Sequence, residues 1–240
     1  MVELSDKDVE KKESPFSRAF VHSLLSESAG HYHALGQMPL SVERLFCLLL
    51  VIFAGTFLFG AATGCYVAGH QIWITGLKVP LLFLSTLAIC APSMYILSLL
   101  IGARLSFMQA LTVALTTIAV TSLVMVGWAP VMFVFARTLM PREYPHYLFL
   151  LLLALVSVGS GAIISIWHLA RGFTEMGVAA NVRWRVIVVW LLLYQFVGSQ
   201  MTWLLRPFVG SSADTVRFEG NFYEAIPIIV ESFFKRTFGG

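Results

Sequence analysis

Gln195, Ser199, Thr202 and Arg206 follow one another at i, i+4, i+7 and i+11, which sets all four on one face of a helix. The stretch that carries them, residues 186 to 205 with Arg206 at its edge, holds no Asp, Glu or Lys. In an apolar setting amides and hydroxyls must look at protein or water, so this face either bonds to a neighbouring helix or lines a small polar cavity. The other polar groups offer less. His31 and His33 form an HxH pair, a spacing that suits a metal, but with no adjacent carboxylate or cysteine the pair reads as a loop. Cys47, Cys65 and Cys90 lie in apolar stretches without CxxC spacing and read as small core residues. His168 and Arg206 fall near the ends of apolar runs, within reach of the headgroup zone. GxSxG, HExxH, Walker A and GxGxxG motifs are all absent from the sequence. The expectation is a protein that is not an enzyme and carries no metal or cofactor.

Composition dictates the elements that must position these residues. Hydrophobic residues make up 58% of the chain and charged residues 12%, against about 25% charged in soluble domains, which excludes a soluble globular fold. Six of the 13 acidic residues (Glu3, Asp6, Asp8, Glu10, Glu13 and Glu27) crowd into the first 27 positions. Residues 45 to 69, 79 to 102, 110 to 136, 147 to 168 and 186 to 205 contain no Asp, Glu or Lys. Each supplies the ~20 residues that a spanning helix needs. The expected fold is all-α: a polytopic transmembrane bundle of five spans over residues 45–205, between a polar tail at 1–44 and a second tail at 206–240. No secretory signal precedes the apolar run that begins at Leu45, so the first span should itself direct insertion. A net charge of +3, dispersed along the chain, gives no reason to expect nucleic acid.

Within the spans, small residues recur. Gly60 and Gly64 form a GxxxG pair that offers a smooth face for close helix contact. Thr112, Thr116, Thr117, Thr121 and Ser122 gather in the first half of the third span, where hydroxyls can bond local carbonyls or a neighbouring helix. The fourth has its own small cluster, "SVGSGA", from Ser157 to Ala162. Pro92 and Pro130 stand near mid-membrane in the second and third spans. Each removes a backbone hydrogen bond, either to open a local gap or to let curved helices fit together; without polar residues at the breaks, packing is the expected use.

Both tails carry amphipathic patterns. Phe16, Phe20, Val21, Leu24 and Leu25 make one apolar face within residues 15–27, opened by Ser14 and Pro15. Phe222, Ile226, Ile229, Val230 and Phe233 do the same within 222–236, a segment too short and too charged to span. Both are expected to lie along the membrane surface. Five spans put the two tails on opposite sides. Arginines and lysines near the membrane divide evenly: Arg44, Arg104, Arg171, Arg183 and Arg185 on one side, Lys78, Arg137, Arg142, Arg206 and Arg217 on the other. Lys7, Lys11, Lys12 and Arg18 tip the balance toward an internal N-terminus.

Five closely spaced spans after a polar tail, the second reading "LKVPLLFLSTLAICAPSMYILSLLIG", resemble the Yip-domain superfamily of small polytopic membrane proteins over residues 45 to 205. The eukaryotic members are associated with vesicle trafficking and Rab GTPases. Their "DLYGP"-type motif is absent here, so Rab binding is not carried over. The short loops fit a bacterial inner-membrane protein. With few charges inside the membrane and many small residues, the chain is expected to be a scaffold or accessory subunit. Its partners would be the lipid bilayer and other membrane subunits or further copies of itself. A carrier or channel for a small neutral or lipid-like molecule, using gaps beside Pro92 and Pro130 and the Gln195 face, is the alternative.

Overall fold

The computed structural model describes residues 42–103, 105–139 and 144–205. Both amphipathic tail segments, His31, His33 and Arg206 lie outside the described residues. Hydrocarbon offers no water to backbone N–H and C=O groups, so a spanning segment must satisfy them internally. The described elements are five α-helices: α1 (Val42–Gly64), α2 (Gln71–Ile101), α3 (Phe107–Thr138), α4 (Tyr144–Glu175) and α5 (Ala180–Leu205). Each is long and apolar enough to cross a membrane. The chain is a multi-pass integral membrane protein.

Helix boundaries reach beyond the charge-free windows. Lys78 sits inside α2, α4 continues past His168 and Arg171, and α5 takes in Arg183 and Arg185. A window without charge measures the part in hydrocarbon; the helix itself runs on into the headgroups, where long cationic stems snorkel to water. At 1.5 Å per residue, the 31 residues of α2 and 32 each of α3 and α4 rise about 46–48 Å. Two ends are fixed by local chemistry. Gly102 closes α2 at φ 96°, its N–H and that of Ala103 bonding to Leu99 and Ser98 carbonyls. Ser106 opens α3 with a capping box: its Oγ accepts the Gln109 N–H at 3.2 Å, and Gln109 Oε1 accepts the Ser106 N–H at 2.9 Å.

Connections of four to six residues (65–70, 102–106, 139–143 and 176–179) make successive helices antiparallel. α1 is central and packs on both α2 and α3; α4 lies against α3, and α5 against α2. Contact between α4 and α5 is the smallest of these pairings. Ile52, Ala119, Met125, Met132, Leu150 and Phe173 are fully buried. The outer surface is apolar too: Leu58, Leu81, Leu100, Leu155, Ile163 and Leu192 are each more than half exposed, as a lipid-facing surface requires.

Gly60 and Gly64 stand where α1 crosses α2. A Cβ on Gly60 would lie 2.7 Å from the Thr75 carbonyl oxygen, and one on Gly64 would lie 2.8 Å from that of Gln71. Backbone meets backbone here because neither residue has a side chain to hold the helices apart. Gly159 on α4 has nothing within 4 Å of such a Cβ. Gly60→Ala and Gly64→Ala should each cost about 1–3 kcal/mol through overpacking, read as a lower unfolding midpoint in detergent. Gly159→Ala should leave the midpoint unchanged or raise it slightly. Equal effects at all three positions would show that the crossing does not depend on this approach.

Candidate functional site

Polar side chains inside the bundle divide into those that close on their own helix and those that reach another. Thr112, Thr116 and Thr117 donate to carbonyls four residues back, on Met108, Thr112 and Val113, at 2.7 to 2.8 Å. Thr56, Thr63, Thr86 and Ser98 do the same on α1 and α2. These bonds are local: each hydroxyl proton is used within its own helix. Thr121 and Ser122 go further. Thr121 Oγ1 lies 2.8 Å from Ser165 Oγ on α4, and Ser122 Oγ lies 3.4 Å from the Val51 carbonyl on α1 in addition to its bond to Ala119. Trp128 Nε1 donates to Ser160 Oγ at 3.0 Å, inside the "SVGSGA" cluster. Gly161 of the same cluster admits the Thr121 side chain to within 3.0 Å of its would-be Cβ.

α5 has two faces with different fates. Trp190 Nε1 donates to the Met94 carbonyl at 3.0 Å and to Ser98 Oγ at 2.8 Å, both buried on α2. One turn on, the Tyr194 hydroxyl donates to the Phe83 carbonyl at 3.2 Å. These aromatic residues supply side-chain hydrogen bonds from α5 to α2 among the described residues. Gln195, Ser199 and Thr202 lie roughly 120–180° round the helix from Trp190 at ~100° per residue, and Gln195 and Thr202 are exposed. Ser199 Oγ donates to the Phe196 carbonyl and Thr202 Oγ1 to the Gly198 carbonyl, both at 2.8 Å. Gln195 and Thr202 thus point away from α2, the helix that α5 packs on most. Trp190 and Tyr194 escape a search for polar periodicity because each counts as hydrophobic. The signal that finds them is the need of a buried indole N–H or phenol O–H for an acceptor.

The prolines are also outward. Pro92 and Pro130 are exposed, whereas Pro80 is buried against the core. Beside Pro130 lies a shallow apolar depression of about 280 Å³ formed with Val131, Val134 and Phe135. No residue of α5 lines the depression beside Pro130. His168 is buried, since it lies three residues after Ser165 on the inward side of α4. Its Nδ1 has no hydrogen-bond partner, and its ring meets Trp167 edge-on at 5.4 Å. Arg171 stacks over Trp167 at 4.4 Å, while Arg183 donates to Thr174 Oγ1 across the 176–179 turn. Phe173 and Trp190 meet at 5.7 Å near the same turn. Among the described residues no three His, Cys, Asp or Glu side chains gather as metal ligands would.

Comparison with family models, curated proteins and solved structures gives no match. The geometry of the described residues therefore defines the class by itself: five membrane-length helices in a bundle whose interior polar groups are mostly spent on its own packing.

Trp190→Phe keeps the ring and removes the donor, so it should lower stability by about 0.6–1.7 kcal/mol, whereas Gln195→Leu should stay within about 0.5 kcal/mol of wild type in dilute detergent. Thermal unfolding of the two variants separates the faces; a larger loss for Gln195→Leu would reverse their roles. Cys65 lies just beyond α1, and burial pushes its thiol up from the ordinary range while the Arg137 guanidinium opposes the shift. The reactive thiolate is thus scarce at neutral pH. Maleimide labelling of Cys65 should be slower at pH 7 than that of an open thiol, speed up with rising pH, and slow further in Arg137→Gln; a pH-independent rate would contradict this.

Proposed function

We propose that this protein is a non-catalytic scaffold or accessory subunit of a larger membrane assembly. The observation that carries the reading is the outward polar stripe of α5: Gln195 stands exposed near mid-span, on the helix side opposite the one that packs on α2. α5 is also the least covered span, with 17% of its most apolar stretch buried against 44% in α1. A polar amide at that depth is useful to an associating helix and costly against lipid. The Yip-like resemblance of residues 45 to 205 enters the proposal as architecture alone and lends no residue role. Residence in a bacterial inner membrane is part of the same proposal, supported by connections of only four to six residues.

Extraction from native membranes in mild detergent, at native expression, followed by mass analysis tests the reading. The expected result is a species heavier than the 26.6 kDa chain. Recovery as a bare monomer from several detergents would overturn it.

A further inference from the structure

We infer that α5 is a self-association surface, in which Gln195 of one copy bonds to the partner's Gln195 across a two-fold axis normal to the membrane. The inference rests on the accessory-subunit reading and names one occupant for the stripe.

Along this face Ser199 and Thr202 are satisfied by carbonyls of their own helix. Gln195 is the residue left with a demand: its exposed amide makes no hydrogen bond to any other described residue. It is the 16th of the 26 residues of α5, about 4 Å along the axis from the helix midpoint, a depth at which water cannot serve it. Around it the exposed surface is uncharged, formed by Val188, Leu191, Leu192 and Phe196. No charged partner is selected by such a surface.

An amide carries one acceptor oxygen and two donor hydrogens, so it is complementary to another amide in the pairwise, head-to-tail geometry that a two-fold axis creates. Co-inserted copies of one chain share an orientation, which brings their α5 helices side by side in parallel. Residue 195 then meets its counterpart at the same depth without further design. A different protein would need a matching polar group at that level; a second copy has one by construction. The faces of α5 do not compete, since Trp190 and Tyr194 are already committed to α2 on the other side.

Oxidative cross-linking in native membranes tests this. Single cysteines replace Ser199 or Thr202 on the stripe, which keeps Gln195, and Leu193 or Val197 on the α2 side, in a chain with Cys47, Cys65 and Cys90 changed to Ala. Stripe cysteines should yield a covalent dimer and the α2-side cysteines should not. Because replacing buried Cys47 and Cys90 can disturb folding, a second measurement keeps them: two differently tagged copies are co-expressed and one is pulled down. Gln195→Leu should weaken recovery of the other copy roughly tenfold, and Gln195→Asn, which keeps the amide, should restore part of it. Cross-links from the stripe to another protein, or within one chain to residues 1–41 or 206–240, would overturn the inference and leave the accessory-subunit reading standing. A monomer with neither a second copy nor any other subunit attached would remove both. Undiminished co-recovery in Gln195→Leu would overturn the role given to Gln195.

Discussion

A bilayer supplies no water to complete a hydrogen bond, and that one constraint runs through every part of this molecule. It explains why the described backbone is helical from end to end of each span. It explains equally why most hydroxyls fold back on their own helices: Thr56, Thr63, Thr112, Thr116 and Thr117 each find a carbonyl one turn earlier. Side chains that would be sticky in lipid are thereby neutralised in place. Those that reach across, among them Thr121 to Ser165, Trp128 to Ser160 and Trp190 to Ser98, act as pins between particular helix pairs.

With hydrophobic burial no longer a driving force between helices, close approach has to supply cohesion. α1 is built for that role. Gly60 and Gly64 let it touch the α2 backbone, while Gly55 on another side brings it against Ser122 of α3, whose carbonyl oxygen would lie 3.0 Å from a Cβ there. Two neighbours at backbone distance make α1 the hub, and the more peripheral α4 and α5 hang from the helices it organises. Burial falls off in the same order, from 44% in the apolar stretch of α1 to 22% in α4 and 17% in α5.

The number and approximate place of the spans were legible in the sequence because a run of twenty residues without Asp, Glu or Lys is a direct statement about solvent. Their ends were not, since Lys78, Arg171 and Arg183 belong to helices whose ends leave hydrocarbon before they stop being helical. The stripe of Gln195, Ser199 and Thr202 could be seen as a shared face, but periodicity fixes only angles within one helix, never which neighbour an angle points to. That is why its outward direction emerges only from the bundle, and why Trp190 and Tyr194, hidden among hydrophobic residues, turn out to hold α5. His168 illustrates the same limit: its position in the chain gives its level along α4, while only the rotation of that helix in the bundle turns its ring inward.

The unequal lengths of the helices have a mechanical consequence for the surrounding lipid. A hydrocarbon core is about 30 Å thick, whereas the apolar spans of α3 and α4 run to 32 and 26 residues and that of α1 to 20. Helices of such different reach impose hydrophobic mismatch, which is relieved by tilt and by local thickening of the bilayer at a cost of fractions of a kcal/mol per Å. The exposed flanks of α3 and α4, where Val134, Leu155 and Ile163 meet the lipid, form the boundary that feels it. Membranes with thicker acyl layers relieve that strain, so helix length gives the protein a preference among bilayers that is independent of any contact it makes with another protein.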